Sequence, residues 1–518
     1  MAKKVMILGD HPIADDLVKQ YESKGYEVAR HTLLATKDVS IVDCDELCLL
    51  TSMTSDINTE TDDKAVAMLG QLVTDYDMEA RGGQRLTCHL LVQSQSTLQM
   101  LQTTDFCEAV RKKADIYPFT MDEVWSRSIV PDYEPITVQS ERHVHLVVFG
   151  MGEMAEMVAI HVAHIAHYPN YVRNHSLRTR ITMIDERAEK KSESLISNYR
   201  HLFDNSYYRV VKPSEEKAVM TFHKPIYEGR REDFVDVEWE FVEAASWNAD
   251  LREKLQLWSK DNKQLLTVVM ADRNGDKNVS DALHLPQELF NQQIPVYVYC
   301  RQEVALPHCS NIHCFGMTDR GYDVSLPLIR MAKNVNHIYD RCYDDNYGQQ
   351  AVDNSSSDEE AGKGNQLGMC YAVEIDPEKR ELSWARLSNV KRMSCIYNAL
   401  TIETKMRSIG LETNEWDKFY DIPQKDIELL AQVEHNRWSV EELILGFRPC
   451  TDDEQKKVEE DISQKKELKK RKVHYDLRAF SDLRPDETGK PVTIYDLCLC
   501  SCLPMITKAF VDEEGGKA

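Results

Sequence analysis

Gly150, Gly152 and Ala155 stand in G-x-G-x-x-A spacing between an apolar run that reads as a strand and an amphipathic run that reads as a helix. Such a turn binds ligands and breaks no bond. Gly150 permits the tight turn, Gly152 lets the backbone approach a pyrophosphate, Ala155 allows close helix packing, and the helix N-terminus faces the anion. Asp185 closes the next apolar run, where a carboxylate accepts both hydroxyls of an adenosine ribose and repels a 2'-phosphate. NAD-type ligands are therefore expected over NADP. Asp185 lies 35 residues beyond Gly150, where about 20 is usual; the excess falls on residues 167–180, read as a surface loop. The competing account keeps the glycines for backbone geometry alone.

A second candidate is Trp438, on an amphipathic run that ends at Gly446, a C-cap type of residue. Other groupings are set aside. His161, His164 and His167 recur every third residue but lack a carboxylate or thiol partner, so they read as a polar helix flank and not as metal ligands. His308, Cys309, His313 and Cys314 crowd into a turn leading to a strand. Cys498, Cys500 and Cys502 alternate at period two and read as packed thiols. Residues 454–472 begin acidic and end basic, an order that suits one solvated helix. Gly9 stands alone in the first apolar turn, with His11 where a second glycine would be and Arg30 ending the next strand, so a close pyrophosphate approach is hindered there. No metal site and no catalytic residue is assigned. Nucleophile-elbow, P-loop, H-E-x-x-H and EF-hand patterns are absent from the sequence, so an enzyme is the less favoured class.

The elements that must hold these residues follow from periodicity. Residues 1–140 alternate short apolar runs with amphipathic ones, and a second such cycle begins at residue 145, which reads as two parallel α/β sheets. Residues 324–347 read as a helix leading out of the second unit. Residues 352–366 lack apolar periodicity, and beyond them helices are expected at 390–409, 423–445 and 454–472. The expected organisation is a degenerate Rossmann-type domain at 1–140, a nucleotide-binding Rossmann domain at 141–347, a linker at 348–378 and a helical domain at 379–518.

The chain has 518 residues, enough for about three domains. Its 63 Lys plus Arg against 86 Asp plus Glu give a net charge of −23, which opposes a broad grip on a nucleic-acid polymer. The longest apolar runs are strand-sized, so no membrane insertion is expected. The first strand-like run follows Met1 almost directly and the 14 cysteines show no disulfide-style spacing, which points to the cytoplasm and to unpaired core thiols.

Two resemblances add to this. Residues 144–329 resemble the TrkA-type nucleotide-binding domain (RCK or KTN domain) of potassium-transport regulators, clearest in GMGEMA, TMIDE, ADRNGDKNVSDALHL and IPVYVYCR. The likeness implies that Gly150, Gly152, Asp185, Asp272 and Asn278 line a site for NAD, ATP or a related adenine nucleotide; the long segment 200–236 departs from the pattern. Residues 380–510 resemble the ryanodine receptor (RyR) repeat, through Glu434, His435, Asn436, Trp438, Gly446 and Phe447 and the later runs HYDLRAFSDL and IYDLCLC. That likeness implies a base stacked on Trp438, with His435 in the same ligand site and phosphate contacts from Arg437, Arg448 or His474. Glu442 stands where receptor repeats often carry a basic residue. The implied protein is a ligand sensor that signals by domain rearrangement. Its expected partners are a small nucleotide, further copies of the chain in a homo-oligomer, and an effector of unspecified kind. An NAD-dependent oxidoreductase and a cytoplasmic subunit of a potassium channel or transporter are the alternatives.

Overall fold

The computed structural model describes residues 2–32, 41, 43–51, 58–212, 233–302, 304, 309–343, 375–419, 421–485 and 491–508. It is an α/β protein with two all-parallel sheets and a helical C-terminal region. The first sheet contains β1 (Lys4–Leu8), β2 (Glu27–His31), β3 (Glu46–Leu50), β4 (Leu86–Leu91) and β5 (Ala114–Phe119). Its strand order is β2-β1-β3-β4-β5, the flavodoxin-like arrangement of doubly wound folds.

The second sheet contains β6 (His143–Phe149), β7 (Thr179–Asp185), β8 (Tyr207–Val211), β9 (Val237–Glu243), β10 (Gln264–Met270), β11 (Val296–Tyr299) and β12 (Ile312–Phe315). Its order is β12-β11-β10-β6-β7-β9-β8. With β8 set aside as an added edge strand, this is the 3-2-1-4-5-6 order of a Rossmann-like sheet, and it reverses between β6 and β10. The two units are thus not repeats of one plan. Their difference lies in which neighbour the third strand takes, which apolar periodicity does not specify.

Alternate residues of each strand point to opposite faces, and the cores follow that alternation. Met6, Leu8, Leu47 and Leu49 form a core on one face of the first sheet; Val147, Phe149, Val268 and Met270 do so on one face of the second. The other faces, with Val5 and Ile7 on one sheet and Val144, Leu146, Val148 and Trp239 on the other, belong to one continuous core. Phe119 stacks on Tyr322 across this junction with ring centroids 3.7 Å apart.

The same core takes in Val440, Leu443, Leu477 and Ala479 from the C-terminal region. Val440 and Leu443 come from the long helix Gln424–Ile444, close to the expected 423–445. It ends in a Schellman motif: Gly446 adopts φ +83°, its N–H donates to the Leu443 carbonyl at 3.1 Å, and that of Phe447 to the Glu442 carbonyl at 2.9 Å. A separate helical core joins Pro327–Tyr343 with Asn389–Leu400 and Ile494–Ser501.

Several expectations need correction. The charge run forms two helices, Asp452–Glu460 and Gln464–Lys470, because Asp461 accepts the Ser463 N–H at 3.0 Å in a local turn that competes with helix continuation. Cys498 lies on a helix, and it is disulfide-bonded to Cys342, 156 residues away; a pairing that distant leaves no local spacing signal. The three histidines are buried and do not form a solvated flank: His164 stacks on Tyr397 at 3.8 Å and His167 pairs with Asp236 at 2.7 Å. Most of the expected linker and His308 lie outside the described residues, although residues 377–378 already belong to the helix Pro377–Arg386. Among the described residues no group of three or more ligand-type side chains could hold a metal, and no helix is long and apolar enough to cross a membrane.

Candidate functional site

The reversal of strand order in the second sheet opens a crevice at the C-terminal strand ends, the place where doubly wound sheets bind ligands. Two adjoining cavities of about 200 and about 420 Å³ occupy it. Gly150 forms their shared floor. Its φ of +105° is a conformation that side chains resist, and a Cβ there would stand 3.0 Å from the Ala271 carbonyl oxygen. Gly152 is the N-cap of the helix Glu153–Ile165, with φ −95°, a value open to any residue. A Cβ on Gly152 would touch only the Arg273 side chain, at 3.7 Å, so its smallness leaves space toward the cleft instead of relieving strain. Ala155 is fully buried where the helix meets the sheet. The three motif residues therefore have three separate jobs.

Asp185 ends β7 at the cavity wall, 12% exposed, with both carboxylate oxygens engaged. Oδ1 accepts the Arg187 N–H at 2.9 Å and Oδ2 accepts Lys191 Nζ at 2.5 Å. Asp272, just beyond β10, repeats the device: it accepts the Asn274 N–H at 3.2 Å and Lys277 Nζ at 3.1 Å. Burial pushes the Asp272 carboxyl up, but the Asn274 N–H and Lys277 outweigh it and hold it below the usual carboxylate range. Asn278 also lines the crevice, yet its amide is committed to the backbone. It accepts the Asp272 N–H at 3.0 Å and donates to the carbonyls of Asp272 and Tyr299 at 2.8 and 2.9 Å. Asn278 lines the crevice as expected and also braces the ends of β10 and β11.

The sequence reading missed the cations. Arg187, Lys191 and Arg273 line the larger cavity together with Asp185 and Asp272, and Lys277 lines the smaller. Each aspartate has its own lysine partner, Arg187 and Arg273 stand at the two lips, and Glu186 and Asp281 also line the smaller cavity. Arg273 is 81% exposed, and its ion pair to Glu153 is long, at 3.7 Å. A signal was present: each strand-end aspartate is followed within six residues by an arginine and a lysine. The larger cavity, with Arg187, Lys191 and Arg273 against Asp185 and Asp272 around a helix N-terminus, is a locally cationic environment for phosphate in a chain of net charge −23.

The residues grouped around Trp438 fare differently. Arg437 is 1% exposed and sits in an ion cluster. Its Nε donates to Glu434 at 3.0 Å and Nη1 to Glu441 at 2.6 Å, while Lys405 donates to Glu434 at 2.6 Å. Burial pushes Glu434 up, but Arg437 and Lys405 prevail and hold it at about 2. His435 donates from Nε2 to the Arg478 carbonyl at 2.8 Å. His474 is buried and held far below its usual value by burial and nearby lysines, and Arg448 is clamped by Glu454 at 2.7 and 2.8 Å. The expectation that Arg437 or His474 reaches a ligand's phosphates is corrected, since both are buried and already engaged, and His435 is buried and engaged as well. Trp438 itself is half-buried, with the His474 ring edge-on at 4.9 Å.

The first sheet's turn has the backbone without the chemistry. Gly9 adopts φ +128°, and a Cβ there would overlap the Leu50 carbonyl oxygen. His11 fills the second glycine position, 1% exposed, and burial lowers it to about 4. Arg30 is paired with Asp15 at 2.5 Å.

Against known proteins, no family model, curated protein or solved structure matches the chain.

Proposed function

We propose that the protein is a nucleotide-responsive regulator whose second sheet binds NAD or another adenine nucleotide. The observation that carries this reading is the coincidence, in one crevice at a strand-order reversal, of a positive-φ glycine turn, a helix N-terminus and the arginines Arg187 and Arg273. Gly150 and Gly152 admit the phosphates, Arg187 and Arg273 neutralise them from either lip, and Asp185 stands on the ribose side. The TrkA-type likeness agrees with this assignment.

The route from ligand to response runs along the helix Glu153–Ile165. It begins at the glycine turn, packs on the long helix Gln424–Ile444, and near its far end stacks His164 on Tyr397. A shift at the turn is therefore felt by the C-terminal region directly, through a shared core. A second, nucleotide-like ligand in the RyR-like region rests on Trp438 alone, since its expected basic neighbours are engaged.

Thermal unfolding of the intact protein tests the reading. One or more of NAD, NADH, ATP, ADP and AMP should raise the melting temperature in a concentration-dependent way, as binding to the native state requires, and Gly152→Val should abolish that rise. No concentration-dependent rise with any of the five would overturn it.

A further inference from the structure

A dinucleotide laid across a sheet of this order places one nucleoside over β7 and β9, and the other across the reversal over β10 and β11. The two cavities are asymmetric about that line. They are walled by the turns after β6, β7, β9 and β10 and by the helix Gly275–Leu283, and neither includes Tyr299 at the end of β11, Cys300 or Arg301.

The far half is taken by the first unit. Its helix Met121–Ser126 packs against Glu153–Ile165. Asp122 lies among Glu153, Arg301 and Tyr299, where burial and then Glu153, against Arg301, push its carboxyl up to about 6. Trp125 is buried with its ring 6.0 Å from that of Tyr299, and its indole N–H donates to the Arg320 carbonyl at 3.2 Å. At that same edge a Cβ at Gly321 would stand 3.3 Å from the indole. Where a second nucleoside would lie, there are a packed indole and two carboxylates.

We infer that the cleft takes a nucleotide with a single nucleoside, a nucleoside di- or triphosphate, and that the helix Met121–Ser126 excludes the second nucleoside of a dinucleotide. This rests on the reading of the cleft as a nucleotide site and narrows its ligand class. The position a nicotinamide would need for hydride transfer is also the closed one.

Equilibrium titration of the intact protein with ADP, ATP and NAD tests the inference. ADP and ATP should bind saturably, with NAD at least tenfold weaker than ADP. An NAD affinity within tenfold of that for ADP, or tighter, overturns the inference and leaves the nucleotide reading standing. No binding by any of the three overturns both. Asp122→Ala, checked for an unchanged melting temperature, should reduce the preference for ADP over NAD at least threefold; an unchanged preference overturns the part assigned to the helix.

Discussion

Two glycine turns at the heads of two parallel sheets share a backbone and differ in everything that surrounds it. Gly9 and Gly150 both adopt positive φ, +128° and +105°, where their first strands meet the following turns. Around Gly9 the space is filled: the Leu50 carbonyl presses on the glycine, His11 is buried in the turn, and Asp15 and Asp16 open the helix with Asp15 holding the nearby Arg30. Around Gly150 there is a crevice with Gly152 in the second position and with Arg187 and Arg273 in its lining. A left-handed glycine therefore reports backbone geometry. The residues two positions on and at the facing strand ends report whether a ligand follows.

The contrast can be broken at each turn. Gly9→Ala should have the largest effect, more than about 4 kcal/mol of stability, because the added Cβ meets a backbone carbonyl that cannot move aside. Denaturant unfolding measures it, and nucleotide affinity of the folded fraction should not change. Gly152→Val should do the reverse, since φ −95° tolerates valine. Nucleotide affinity should fall at least 100-fold, about 2.7 kcal/mol, with little change in melting temperature.

His11 sharpens the difference by pH. Its folded value, near 4, is below that of the unfolded chain, about 6.5. The unfolded state therefore takes up a proton that the folded state refuses. Stability carried by neutral His11 is complete above pH 6.5 and is lost as pH falls toward 4, by up to about 3 kcal/mol. His11→Asn should flatten that part of the stability–pH curve. The smallest effect is expected for Arg187→Ala. As an exposed residue it should alter stability by less than about 0.5 kcal/mol, while nucleotide affinity drops about tenfold, roughly 1.4 kcal/mol, a difference read by calorimetry.

The sequence made the parallel sheets legible because buried strands declare themselves as short β-branched runs between amphipathic helices. It missed β5 and β8, whose sequences ADIYPF and YYRVV carry polar residues or a proline suited to a sheet edge. The glycine turn was legible in its geometry: the positive φ at Gly150, the helix start at Gly152 and the buried Ala155. The lip cations were not sought, although they follow Asp185 and Asp272 closely. What stayed illegible is tertiary. The burial of His164 depends on Tyr397, more than 200 residues later. Arg437 looked available on a charged helix until Lys405, Glu434 and Glu441 closed around it, an arrangement that only packing creates. Asn278 was placed in the right crevice, but its bracing of two strand ends was not legible, because only packing shows which groups a buried amide meets.

Amide hydrogen exchange on the intact protein, with and without saturating ADP, tests the central claim most directly, since it reports where a ligand acts and how far its effect travels. The account predicts slower exchange at residues 150–155 and in the helix Gln424–Ile444, with residues 9–14 unchanged. Unchanged exchange at residues 150–155, or protection at residues 9–14 in their place, would contradict it.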